Sequence, residues 1–271
     1  MMVKLIAIDM DGTLLNSEKK IPQANIDAIQ EAAQAGIKIV ICTGRPRSGI
    51  LPYFEQLGLT DEEYIIMNNG CSVYNTKTWD LVHSAQLTLD EVGQLADAVS
   101  DYPQVCLTLT TENTYYALAD AVPELVQYDA GLVFDTAKAT SFEALKDDTD
   151  IIFQAMYMAE PDQLDLFQAD MAEEVSQSFS TVRSQSYLFE VMPQGTTKAS
   201  ALKQLAQHLG FAPDQVMALG DAANDLEMLE FAGVSVAMGN ATDEVKTICK
   251  HVTASNDEAG VAQAILDIAL N

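Results

Sequence analysis

Positive charge is scarce in this chain of 271 residues: fourteen Lys and Arg stand against forty Asp and Glu, a formal net charge of -26. A surface so negative repels nucleic-acid phosphates and anionic lipid, and with no basic stripe to offset it both are set aside as partners. The same field repels a small phosphate ester, so phosphate chemistry here would need a bound cation and locally placed positive groups. Long apolar runs are missing as well. No stretch approaches the ~20 residues of a spanning helix. The apolar part of MMVKLIAID is too short for a signal peptide, so the expectation is a cytoplasmic protein. Cys42, Cys71, Cys106 and Cys249 form no CxxC pair and have no His at ligand spacing, which points to reduced, mostly buried thiols rather than a disulfide framework. Asn240-Ala241-Thr242 fits a glycosylation sequon, which means nothing in that compartment.

Several catalytic signatures are absent too. There is no GxGxxG fingerprint, no GxSxG elbow and no HExxH, and His83, His208 and His251 lie far apart. Gly44 to Gly49 has the glycine spacing of a phosphate loop, but Ile50 follows where Lys is needed. A calcium loop counted from Asp9 reaches Lys20 at the twelfth position, where a bidentate Glu is required.

What is present is the composition of an ordinary globular protein, 48% hydrophobic and 20% charged, in a chain longer than one typical domain of ~100–150 residues. Leu5 to Ile8 is a continuous apolar run. Pro22 opens a helical pattern with Ile26, Ile29 and Ala33 on one face and Gly36 as its stop. Ile37 to Cys42 and Tyr64 to Met67 read as buried strands, with a hairpin suggested around Asn69-Gly70. After about residue 193 the rhythm returns: a helix through Leu202, Leu205 and Leu209, a strand from Gln215 to Leu219, a helix at Leu226 and Leu229, and a strand from Val234 to Ala237. Such alternation predicts an α/β fold, a mostly parallel Rossmann-like sheet covered by helices. Between Leu87 and Met192 helical stretches sit among β-rich pieces, which reads as an inserted α+β domain. The expected organisation is a core of 1–86 and 193–271 with an insertion of 87–192.

Three polar clusters fall at strand ends of the core, and a lysine begins a helix that could point to the same place. Asp9 and Asp11, two apart, point the same way while the chain stays extended. Two carboxylates sharing a site make sense if a divalent cation sits between them, or if one is kept protonated by the other. A solvated turn is the plain alternative. Asp221, Asn224 and Asp225 occupy the next strand-to-helix turn, where they could equally cap the helix. Thr43, with Gly44 and Arg45, offers a hydroxyl and backbone N–H groups to an anion, or a cap to the helix begun by Pro46. Lys198 opens a helix and adds its charge to the positive end of the dipole. Ligands of open parallel sheets bind outside the carboxyl ends of the strands, so a shared position favours one common site.

Asp9-Met10-Asp11-Gly12-Thr13, then Thr43-Gly44-Arg45, then Lys198, then Gly220-Asp221 with Asn224-Asp225, resembles the four motifs of the haloacid dehalogenase superfamily. The order, the spacing and the large insertion resemble the Cof-type phosphatases with a type IIB cap. Two positions depart, Ala199 in place of Gly and Ala222-Ala223 in place of Gly-Glu; neither removes a group with chemical work. The resemblance implies Asp9 as nucleophile and Asp11 as general acid and base. It implies Mg²⁺ held by Asp9, Asp221 and the main-chain carbonyl of Asp11, and a phosphoryl group held by Met10, Thr43, Gly44, Lys198 and Asn224, with Asp225 orienting Lys198 or a metal-bound water. The implied substrate is a small phosphorylated metabolite, a sugar phosphate foremost. A phosphomutase, and a phosphosugar-binding sensor without turnover, are the rival readings.

Overall fold

The apolar runs become the strands of two sheets. In the computed structural model, which describes residues 2–271, these strands are β1 (Leu5–Asp9), β2 (Lys38–Cys42), β3 (Tyr64–Met67), β4 (Ser72–Asn75), β5 (Leu81–Ser84), β6 (Cys106–Thr111), β7 (Tyr115–Leu118), β8 (Lys138–Thr140), β9 (Ile152–Met158), β10 (Phe179–Gln185), β11 (Leu188–Pro193), β12 (Val216–Gly220), β13 (Val234–Ala237) and β14 (His251–Val252). The chain divides into two units. The first comprises residues up to Gly44, Leu51–His83 and Thr197–Asn271, and the second comprises Arg45–Ile50 and Ser84–Thr196.

The first unit carries an eight-stranded sheet in the order β14-β13-β12-β1-β2-β3-β4-β5. Every pairing from β14 to β3 is parallel, and β4 returns antiparallel to β3. β1 lies at the centre and all five of its residues are buried, which is why its sequence is an unbroken apolar run rather than an alternation. Its neighbours bring Asp9 level with Cys42, and Leu219 level with Ile8, so the carboxyl ends of β1, β2 and β12 share one edge of the sheet.

Helices cover this sheet. Gln23–Gln34 buries Ile26, Ala28, Ile29 and Ala32, so Ala32 takes the inward place that simple spacing gives to Ala33, and the chain leaves it through Gly36 at φ +85°. Lys198–His208 begins at a capping box in which Thr197 accepts from the Ser200 N–H, an arrangement worth about 1 kcal/mol. Leu202 and Leu205 on its inner face are buried, and this fixes where its first residue, Lys198, stands.

The second unit is a six-stranded sheet, β10-β11-β9-β6-β7-β8, antiparallel except for β7 beside β8. Helices Leu89–Ala98 and Pro161–Ser178 bring Val92, Leu95, Leu164 and Phe167 against Ala155, Tyr157 and Phe189. Helix Glu124–Leu132 brings Val126 and Ala130 into a second cluster with Tyr115, Met156 and Met158. Central β9 is therefore buried on both sides along its whole length. Among the described residues no helix is long and apolar enough to cross a membrane.

Candidate active site

The polar residues at the shared strand edge converge on one ammonium group. Lys198 Nζ lies 2.6 Å from Asp9 Oδ1 and 2.9 Å from Asp225 Oδ1, with the lysine only 2% exposed. Burial works against the Lys198 charge, but Asp225 and Asp9 beside it outweigh that and raise its pKa. The Asp9 carboxyl is pushed up by burial and by the Asp225 and Asp221 charges, and Lys198 pulls it back. Asp221 is pushed up to about 6 by burial and by Asp225, while a hydrogen bond from Thr13 works the other way.

Each carboxylate is held by its own local geometry. Thr13 Oγ1 donates to Asp221 Oδ1 at 3.0 Å. Gly12, at φ +84°, presses its backbone on the same side chain: a Cβ added there would lie 2.4 Å from Asp221 Oδ2, so only glycine fits. Asp225 Oδ2 accepts from the Asp221 and Ala222 N–H groups, at 3.1 and 3.2 Å. Asp225 thus both caps this turn and pairs with Lys198. Asn224 lies half-buried in the same 3₁₀ turn, Ala223–Asp225.

Asp11 stands apart from this cluster. Its Oδ1 accepts from Lys19 Nζ at 2.8 Å in a partly exposed ion pair, although its charge is felt at Asp221. Met10 is buried, and its carbonyl accepts from the Leu15 N–H. Thr43 is 1% exposed at the end of β2; its N–H donates to the Ile66 carbonyl and its own carbonyl accepts from Asn69.

Asn69 carries no role in the sequence reading beyond marking a turn. It occupies the left-handed region at φ 53° and is 2% exposed, and neither side-chain amide atom has a hydrogen-bond partner among the described residues. Both amide atoms lie 3.1 Å from where a Gly44 Cβ would be, so Gly44 is what lets β2 and the β3–β4 turn meet. At Gly70 a Cβ would fall 2.2 Å from the Thr197 carbonyl, which ties this turn to the start of the Lys198 helix.

The donor set suits a hard divalent cation. Asp9, Asp221 and Asp225 each offer a carboxylate oxygen within 4.8 Å of the others, with one ammonium, that of Lys198, paired to two of them. Burial is the largest cause of the upward displacement of Asp9 and Asp221, and the neighbouring carboxylates add to it.

The model of the haloacid dehalogenase-like hydrolase family matches residues 6–265. The chain belongs to that family. It is an enzyme, of the phosphatase kind for which relatives in the family are named. The Bacillus subtilis protein YxeH is 35% identical over 99% of each chain. YcsE of Bacillus subtilis, named a 5-amino-6-(5-phospho-D-ribitylamino)uracil phosphatase, is 33% identical over 97% of this chain and 94% of its own. Among solved structures, a haloacid dehalogenase-like hydrolase from Bacteroides thetaiotaomicron superposes with a TM-score of 0.88 at 30% identity, covering 98% and 99% of the two chains. A HAD subclass IIB sugar phosphatase shares the fold at a TM-score of 0.83 and 24% identity, covering 99% of this chain and all of its own.

Proposed function

We propose that this enzyme is a Mg²⁺-dependent phosphatase that hydrolyses small cytoplasmic phosphate monoesters, sugar phosphates foremost, through an aspartyl-phosphate on Asp9. The observation that carries the reading is the Lys198 ammonium held between Asp9 and Asp225, with Asp221 closing the cluster. An aspartate raised by burial needs a cation beside it to remain a nucleophile at neutral pH, and Lys198 supplies one at 2.6 Å.

Asp9 Oδ attacks phosphorus, and the bond from phosphorus to the ester oxygen breaks. Asp11, protonated at this step, gives its proton to the departing alkoxide. That requires it to leave Lys19, an exposed pair worth no more than about 1 kcal/mol. The Asp11 carboxylate then takes a proton from the water that attacks phosphorus, which releases phosphate and restores Asp9. Thr43, Lys198, Asn224 and the backbone N–H groups at Met10 and Gly44 hold the transferred group. Asp9, Asp221 and the Asp11 carbonyl would hold Mg²⁺, which when bound offsets charge on the phosphoryl oxygens. The ribityl phosphate in the name of YcsE is a phosphate monoester of a polyhydroxylated chain, which supports that substrate class.

A phosphate-release screen across sugar phosphates, sugar-alcohol phosphates, nucleotides, pyridoxal phosphate and flavin mononucleotide tests the proposal. Turnover of a polyol phosphate with Mg²⁺, and its loss in excess chelator, is expected. Full activity in chelator would refute the metal's role, and phosphate transfer to a second sugar without release would make the enzyme a mutase.

A further inference from the structure

The turn that carries Asp11 is held by side chains that come more than two hundred residues later in the chain. Asn240 Nδ2 donates to the Gly12 carbonyl at 2.8 Å, and Asn240 Oδ1 accepts from the Asn256 N–H at 2.9 Å. Asn256 Nδ2 in turn donates to the Leu15 carbonyl at 2.9 Å, and Asp257 Oδ1 accepts from the Ser17 N–H at 2.8 Å. On its other side the turn meets Asp221, through the Thr13 hydroxyl and the packed Gly12 backbone. Gly12 is thus gripped from two directions. Glycine at φ +84° is the residue with the most freedom to swing, so an anchor on its carbonyl decides how the chain runs through Asp11.

The chemistry of the anchor selects asparagine. One short side chain must donate to a carbonyl and accept from an N–H at once, and Asn does both where Asp offers no donor. Side-chain exposure at Asn240 leaves little burial for it to contribute to the core, so these two bonds are its principal role in the fold. The apparent sequon therefore has another use: Asn240 holds the turn, and Thr242 caps helix Asp243–Ile248 by accepting from the Val245 N–H.

We propose that Asn240 is a positioning residue for Asp11, fixing through the Gly12 carbonyl where the Asp11 carboxyl stands for proton transfer. This rests on the reading of Asp11 as acid and base. Asn240→Asp keeps the acceptor for Asn256 and puts an anionic oxygen against the Gly12 carbonyl. On an alkyl phosphate it is expected to lower kcat about tenfold with KM nearly unchanged, because misplacing an acid costs rate rather than binding. On 2,4-dinitrophenyl phosphate, whose leaving group needs no proton, the pre-steady-state release of dinitrophenol should keep its wild-type rate. Asn240→Ser, which cannot reach the carbonyl, should behave alike, and circular dichroism and thermal melting of both variants verify the fold. Asp11→Asn is the reference and should show the same dependence on leaving group, more strongly. If Asp11→Asn shows no such dependence, the acid–base reading fails. If Asp11→Asn shows it while the folded Asn240 variants match wild type on the alkyl phosphate, or lose equally on both substrates, the role of Asn240 is overturned alone.

Discussion

Two carboxyl groups are buried at opposite ends of the first sheet, and they differ in what faces them. Asp9 ends β1, whereas Glu63 immediately precedes β3 and is 2% exposed. Burial raises both: Asp9 is pushed up with added help from Asp225, and Glu63 is pushed up to about 7 against the Ile39 N–H that its Oε2 accepts at 2.6 Å. Glu63 accepts from a backbone donor, and the charges of Lys38, Asp61 and Glu62 act on it only weakly beside burial. Asp9 meets a buried ammonium and two further carboxylates. A displaced pKa therefore does not by itself mark a reactive group; the set of partners around it does.

The sharpest way to break this comparison is to neutralise each carboxyl in turn. Asp9→Asn should abolish phosphate release, by at least about 10⁴-fold, with the fold retained, whereas Glu63→Gln should leave kcat unchanged. Equal losses from both variants would erase the distinction. Lys198→Met comes next. It leaves Asp9 and Asp225 buried without their cation, which costs about 3–5 kcal/mol in urea unfolding at neutral pH and removes activity. Gly12→Ala forces a Cβ toward Asp221 at a backbone angle that L-residues resist, and a loss of about 1–3 kcal/mol is expected together with most of the activity.

The remaining effect leaves activity untouched and depends on pH. The folded pKa of Glu63 lies above the ordinary value of 4.5, so its ionised form is disfavoured by the fold. The stability this group contributes is fully present below about pH 4.5 and is lost as pH rises through about 7. Glu63→Gln should therefore gain on wild type by up to about 3 kcal/mol at pH 8 and by almost nothing of this origin at pH 4, as read by urea unfolding at the two values. A constant difference at both would contradict the displaced pKa.

The central strands were legible in the sequence because each is a short, mostly apolar and mostly buried run: β1, β2, β3 and β13 follow Leu5–Ile8, Ile37–Cys42, Tyr64–Met67 and Val234–Ala237 within a residue or two. Edges were not. β14 has two residues, both exposed, and β8 has three, too few for any period to show. Helix Glu124–Leu132 buries only Val126, Asp129 and Ala130, so it presents no continuous apolar stripe. The same contrast holds at the site. Asp9, Asp221 and Asp225 occur in dense polar turns after apolar strands, and their clustering is a signal; Lys198 became informative only beside them. Asn69 and Asn240 are single amides in turns, and what they do depends on residues brought close by folding. The Lys19–Asp11 pair escaped for another reason, since eight residues of loop separate its members and loops impose no register.

The claim that Asp9 is the nucleophile can be tested directly by acid-quenching the enzyme during turnover of a polyol phosphate with Mg²⁺ and mapping any covalent phosphoryl group by peptide mass spectrometry. Phosphorylation of Asp9 in wild type, and its accumulation in Asp11→Asn given 2,4-dinitrophenyl phosphate, whose leaving group needs no acid while the water-activating base is gone, is the predicted result. Steady turnover with no phosphoryl group on Asp9, or with one on another residue, would contradict the account.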